Sequence, residues 1–202
     1  MADITVNPVL AEVMGPREGS AVWVKRAFLV IVGVIAMTIA AKIKLPMWPV
    51  PATMQTFVVL SVGAAYGLRL GLTTLLCYLA LGAIGLNVFT GSSVENYGIA
   101  YMMGSTGGYL LGFAVATVVM GALARRGWDR SMGWMALAML IGNVVIYAFG
   151  LPWMAYLFVD SKGLAWVMQW GLTNFLVSDA VKLALAAMLM PMMWKLVGNA
   201  RG

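Results

Sequence analysis

Apolar runs broken by short polar or proline-rich stretches set the pattern of this 202-residue chain. A membrane-spanning helix needs about 20 mostly apolar residues, and six runs approach that length. The first covers roughly residues 23–41 and carries Lys25 and Arg26 near its start. It lacks a small-residue cleavage site, so it reads as a retained helix rather than a signal peptide. It ends at "KIKLPMWPVP", where Pro46, Pro49 and Pro51 each lack an amide donor and restrict the residue before them. The second run covers about 53–67, short enough to imply tilt or shielding, and the third about 70–86. A long polar and aromatic stretch follows, "NVFTGSSVENYGIAYM", with one acid, Glu95. The fourth run starts near Gly104 and ends at "ARRGWDR"; the fifth covers about 132–149 and stops at "GLP". A short apolar piece, 153–158, and an interfacial segment, 164–172, precede the sixth run at about 174–196. Residues 1–22, with Asp3, Pro8, Glu12, Pro16 and Glu18, are expected to be a disordered or surface-lying tail. Residues 23–202 are expected to form one domain. The expected fold is an all-α membrane protein, a compact six-transmembrane-helix bundle.

Composition supports this picture. Hydrophobic residues make up 62% of the chain and charged residues 10%, against about half and a quarter in a globular domain. The net charge of +6 therefore does not suggest nucleic-acid binding; basic residues of membrane proteins gather in cytoplasmic loops. With the N-terminus inside, the inner side holds nine of them, Arg17, Lys25, Arg26, Arg69, Arg125, Arg126, Arg130, Lys195 and Arg201. The outer side holds three, Lys42, Lys44 and Lys162. This places both termini in the cytoplasm and the long loops outside. Trp23, Trp48, Trp153, Trp166 and Trp170 fall near the interfaces, as an aromatic belt would. With no His and one Cys, Cys77, the chain has no internal disulfide framework, no His catalysis and no basis for a metal site. Small residues recur every four positions, at Gly63, Gly67 and Gly71, at Gly104, Gly108 and Gly112, and at Ala36 and Ala40. Such spacing suits close helix packing or docking of a second membrane protein.

Within the sixth run stand Asp179 and Lys182. Each costs about 2.5–3.5 kcal/mol at the centre of a bilayer. Their i, i+3 spacing puts them on one helix face, as a self-neutralising structural pair or as part of a substrate path. Gln55, Asn87, Tyr109, Asn143 and Tyr147 all fall at a similar outer depth, where each suits either an interhelical hydrogen bond or a ligand contact. "MGSTGGY" (103–109) is no P-loop, which needs G-x-x-x-x-G-K-[ST], and no such run exists in the chain. A helix starting there would favour an anionic ligand group.

"PVPATMQTFVVLSVGAAYG" (49–67), "LCYLALGAIGLNVF" (76–89), "GSTGGYLLGF" (104–113) and "SDAVKLALA" (178–186) together resemble BioY, the biotin-binding S component of energy-coupling factor transporters. The resemblance covers roughly residues 25–195. It implies biotin uptake across a bacterial cytoplasmic membrane, with energy supplied by a transmembrane coupling protein and ABC-type ATPases on separate chains. No cofactor is implied, and membrane lipid is the surrounding medium. Ala36 and Ala40 match the small-residue stripe that docks the coupling protein in related transporters. Toward biotin, Lys182 would neutralise the carboxylate, Asp179 would orient Lys182 or accept a ureido N–H, and Gln55, Asn87 and Asn143 would donate and accept. Other readings stay open: an S component for another vitamin, a secondary transporter or channel with Asp179 as a proton site, an intramembrane enzyme with a Ser178–Lys182 dyad, or a structural subunit.

Overall fold

The computed structural model describes residues 7–45, 52–92 and 96–199. Asp3, Pro46, Trp48, Pro49, Pro51, Glu95 and Arg201, used in the sequence reading, lie outside them. The described helices are α1 (Leu10–Val13), α2 (Ala21–Lys42), α3 (Gln55–Ala83), α4 (Gly98–Met102), α5 (Gly107–Arg125), α6 (Met132–Lys162), α7 (Leu164–Gly171) and α8 (Leu176–Asn199). A short antiparallel ladder pairs Lys44 with Thr53 and Leu45 with Ala52. Among the described residues, five helical segments are long and apolar enough to cross a membrane: α2, α3, α5, α6 and the stretch Leu164–Gly198.

The second of these segments reverses direction. Gly67 has φ 75° and ψ 179°, which breaks α3 into two arms. Gln55 Nε2 donates to the Tyr78 hydroxyl at 2.9 Å, although a straight helix would separate them by about 35 Å at 1.5 Å per residue. A methyl carbon added at Gly71 would lie 3.3 Å from the Gly63 Cα. The arms are therefore antiparallel neighbours, and only glycine adopts the turn without strain.

The arms pack against α5, and α6 and α8 close the bundle beside them. Met37, Leu60, Leu75, Tyr78, Met120, Met135, Met139 and Ile146 are fully buried between them. The small residues sit where backbones meet. A methyl carbon at Gly63 would come within 2.9 Å of the Thr117 carbonyl oxygen, and one at Gly112 within 2.9 Å of the Ile146 Cα. These glycines serve packing inside the chain.

Two expectations are corrected. Residues 9–13 are not a loose tail. Val9, Leu10 and Val13 are buried, with Val9 seated on Gly67. The Asn7 N–H donates to the Arg125 carbonyl at 3.1 Å, and Arg130 Nη2 donates to the Pro8 carbonyl at 3.1 Å. Arg125 holds both carboxylate oxygens of Glu12. Nor does the fifth run stop before Pro152: α6 continues to Lys162 with Pro152 inside it. The piece beyond the proline is held by packing. Met154 is fully buried, and Trp153 Nε1 donates to the Gly104 carbonyl at 2.9 Å.

Candidate binding site

At the end opposite Gly67, the helices and their connections enclose a cavity of about 260 Å³. This is slightly below the usual range for small-molecule sites, about 300–1,000 Å³. Helix residues supply its polar groups: Gln55 and Thr56 at the start of α3, Asn143 and Tyr147 on α6, Asp179 and Lys182 on α8. The connections supply Phe89, Thr90, Gly91, Asn96, Ser105 and Thr106.

Asp179 and Lys182 are both buried, at 7% and 5% exposure. The i, i+3 spacing brings Lys182 Nζ 2.9 Å from Asp179 Oδ1. Lys182 also donates to the Thr56 hydroxyl at 3.0 Å, and the Tyr147 hydroxyl donates to the other Asp179 oxygen. One connected group thus spans α3, α6 and α8. Such bonds are what a buried ion pair needs to offset its desolvation. Ser178 Oγ turns back to the Phe175 carbonyl at 2.9 Å instead of meeting Lys182, so the nucleophile–base dyad is not formed.

Asn143 is different. It is buried at 6% exposure and lines the cavity. Its amide makes no hydrogen bond among the described residues. The amide opens onto the cavity rather than being sealed in protein, so it is available to a ligand that fills the cavity and bonds to it.

Aromatic walls complete the site. Phe89 stacks on Tyr101 with ring centroids 5.0 Å apart and meets the Tyr78 edge at 5.4 Å. Its ring occupies the space where Gly82 would carry a methyl carbon, 2.0 Å away. The Tyr78 hydroxyl accepts from Gln55 and donates to the Val88 carbonyl at 3.0 Å, which ties the α3 hairpin to the 87–92 connection. Tyr109 faces Tyr147 edge-on and donates to the Gly171 carbonyl at 2.9 Å. Thr106 precedes α5, so the positive end of that 19-residue helix abuts the cavity.

A family model described as the BioY family matches residues 11–199. The chain belongs to the BioY family. A probable biotin transporter BioY of Pyrococcus horikoshii is 37% identical over 165 residues, covering 82% of this chain and 93% of its own length. The biotin transporter BioY of Thermotoga maritima is 32% identical over 153 residues, covering 76% of this chain and 86% of its own. The fold resembles a crystal structure of the S-component for biotin from an ECF-type ABC transporter. The TM-score is 0.71, with 22% identity, over 88% of this chain and 95% of that one.

In this BioY chain the structure brings together Gln55, Tyr109, Asn143, Tyr147, Asp179 and Lys182. Asn87 is not among them. It is exposed, outside the cavity, and its amide oxygen accepts from Lys42 at 2.6 Å. Ala36 and Ala40 do not form an outward stripe either. Ala40 is buried at 3% exposure and Ala36 is half-buried, while Phe28, Ile31, Ile35 and Ile39 face outward. Thr56, Phe89, Tyr101, Ser105, Thr106, Phe113 and Phe175 line the site without having been singled out. Only Ser105 and Thr106 carried a signal, in the glycine-rich stretch before α5.

Proposed function

We propose that this BioY-family chain is a biotin-binding S component, which captures the vitamin and passes it across the cell membrane. The observation that carries the reading is the Asn143 amide, open to the cavity, beside a charge-balanced Asp179–Lys182 pair in an aromatic-walled cavity. Biotin offers a ureido group with two donors and one acceptor, an apolar bicycle and an anionic tail. A ureido group needs partners that donate and accept at once. Asn143 and Gln55 do both, and the Asp–Lys pair presents an acceptor next to a donor.

The anionic tail is assigned away from Lys182, whose charge Asp179 already balances. The start of α5, with Ser105, Thr106 and the helix dipole, suits a carboxylate better. We place six crossings in the membrane, counting the two arms of α3 separately, with both termini in the cytoplasm. The clustering of Arg125 and Arg130 with residues 7–14, away from Lys42, supports that orientation. Energy would come from a coupling protein and ABC-type ATPases on other chains, in keeping with the lack of a P-loop in this one.

The test is biotin binding to the purified protein in detergent, beside Asp179→Asn and Lys182→Ala. Tight binding lost in both folded variants is expected. A folded wild type that ignores biotin sinks the reading and favours another vitamin. Biotin methyl ester assigns the tail: if Lys182 holds it, the ester and Lys182→Ala weaken binding non-additively; on the present assignment they act independently.

A further inference from the structure

Lys42 ends α2 near the cavity but does not line it. Its ammonium reaches the connection that follows α3. Nζ donates to the Asn87 amide oxygen at 2.6 Å and to the Phe89 carbonyl at 2.5 Å. The Ser92 hydroxyl lies 2.5 Å from the same Asn87 oxygen and 3.0 Å from the same carbonyl. One cation and one hydroxyl thus close the 87–92 connection on itself and fasten it to α2. Phe89, Thr90 and Gly91, inside that closed turn, line the cavity.

Neither acceptor of Lys42 is charged, so this is not an ion pair. A charged donor makes hydrogen bonds roughly twice as strong as a neutral one. Here two such bonds end on a backbone carbonyl and on the side chain two residues before it. Together they fix the direction of the Phe89 carbonyl, and with it the ring that stacks on Tyr101.

We propose that Lys42 is a positioning residue for ligand retention. It holds the 87–92 connection over the cavity and slows escape of the bound molecule without touching it. The ligand named here, biotin, rests on the function proposed above; the anchoring of the connection does not. An anchor that only resists opening acts on dissociation, which is where most affinity differences between related complexes arise.

The experiment uses full-length protein and three variants: Lys42→Met, which keeps the stem and drops the charge, Lys42→Arg, which keeps a cationic donor, and Asn87→Leu. Amide hydrogen exchange over residues 88–92 is measured without ligand. Association and dissociation rates are measured with biotin and with biotin methyl ester. Lys42→Met is expected to speed exchange in 88–92 but not in α5 or α6. It should raise the dissociation rate about tenfold for both ligands and leave association within about twofold. Lys42→Arg should restore most of both effects, and Lys42→Met with Asn87→Leu should add little to either alone. Unchanged exchange in Lys42→Met overturns the proposal whatever the protein binds. Faster dissociation of free biotin alone, with the ester unaffected, also overturns it, because Lys42 would then be a direct contact of the tail. Faster exchange in a protein whose wild type ignores biotin leaves the anchor standing and removes only the ligand.

Discussion

The two ion pairs among the described residues sit at opposite ends of the bundle and differ in almost every respect. Asp179 and Lys182 are three residues apart on one helix, with side chains 10% and 6% exposed. Glu12 and Arg125 are 113 residues apart in sequence, with side chains 47% and 32% exposed. The first pair is costly to bury and faces a cavity; the second is cheap and fastens a segment. The difference teaches where to look for function in an apolar chain. Charge placed where water could have solvated it holds the structure together. Charge placed where water is excluded, beside a cavity, is where a ligand is to be sought.

Breaking the buried pair by removing one partner gives the largest expected effect. Lys182→Ala leaves a bare carboxylate in the bundle. It should cost about 3–5 kcal/mol of stability and lower biotin affinity about 100-fold or more. The double variant Asp179→Leu with Lys182→Met separates these losses. Its thermal melting should recover toward wild type while biotin binding stays lost. Recovery of binding as well would reduce the pair to a structural device.

Gly67→Ala probes the anchored end. The positive φ is strained for any side chain, at about 1–3 kcal/mol, and the added methyl meets Val9 at 3.2 Å. A lower melting temperature with unchanged biotin affinity in the folded fraction is expected. A loss of affinity would show that the two ends are coupled. Asn143→Leu reverses that signature. It removes an amide that the protein itself leaves unpaired, so stability should hold or rise while biotin affinity falls about tenfold, measured by titration calorimetry.

Glu12→Gln is expected to do least, below about 1 kcal/mol, and high salt should erase the difference. Burial pushes Glu12 up, but hydrogen bonds from Arg125 and the Val9 N–H, with the charges of Arg125 and Lys25, outweigh it and hold its pKa below the ordinary value. Its stabilising contribution is therefore full above the unfolded carboxylate value and lost as pH falls through the lower folded one. Asp129 runs the other way. Burial raises its pKa despite the hydrogen bond from Trp194, so its ionisation cost grows as pH rises from the unfolded value through the folded one. Melting curves of Glu12→Gln and Asp129→Asn against wild type, taken across the acid range, should show pH slopes of opposite sign.

Much of the site was legible because polar residues are rare enough in this chain to stand out. Gln55, Asn143, Asp179 and Lys182 each interrupt an apolar run, and they converge. Asn87 interrupts one too, but it belongs to a connection, where side-chain direction follows local turns rather than helical period. The break at Gly67 was legible as the gap between the runs at about 53–67 and 70–86. The burial of Val9, Leu10 and Val13 was not, since it depends on a surface made by Gly67 and the end of α5, distant in sequence. Pro152 misled for a similar reason: its local preference to end a helix lost to the packing of Trp153 and Met154. Thr56 gave no signal beyond its place after Gln55, because its role is to accept from Lys182, 126 positions away.

The closed bonding of Asp179 and Lys182 has a consequence for membrane voltage. Moving one elementary charge through the full potential changes its energy by about 2.3 kcal/mol per 100 mV. Equal and opposite charges fixed 2.9 Å apart contribute almost nothing to that sum. The pair is electrically silent: it adds almost nothing to the voltage dependence of any displacement relative to the bilayer. Any response of such a movement to voltage must therefore come from other charges, Lys42 beside the site among them.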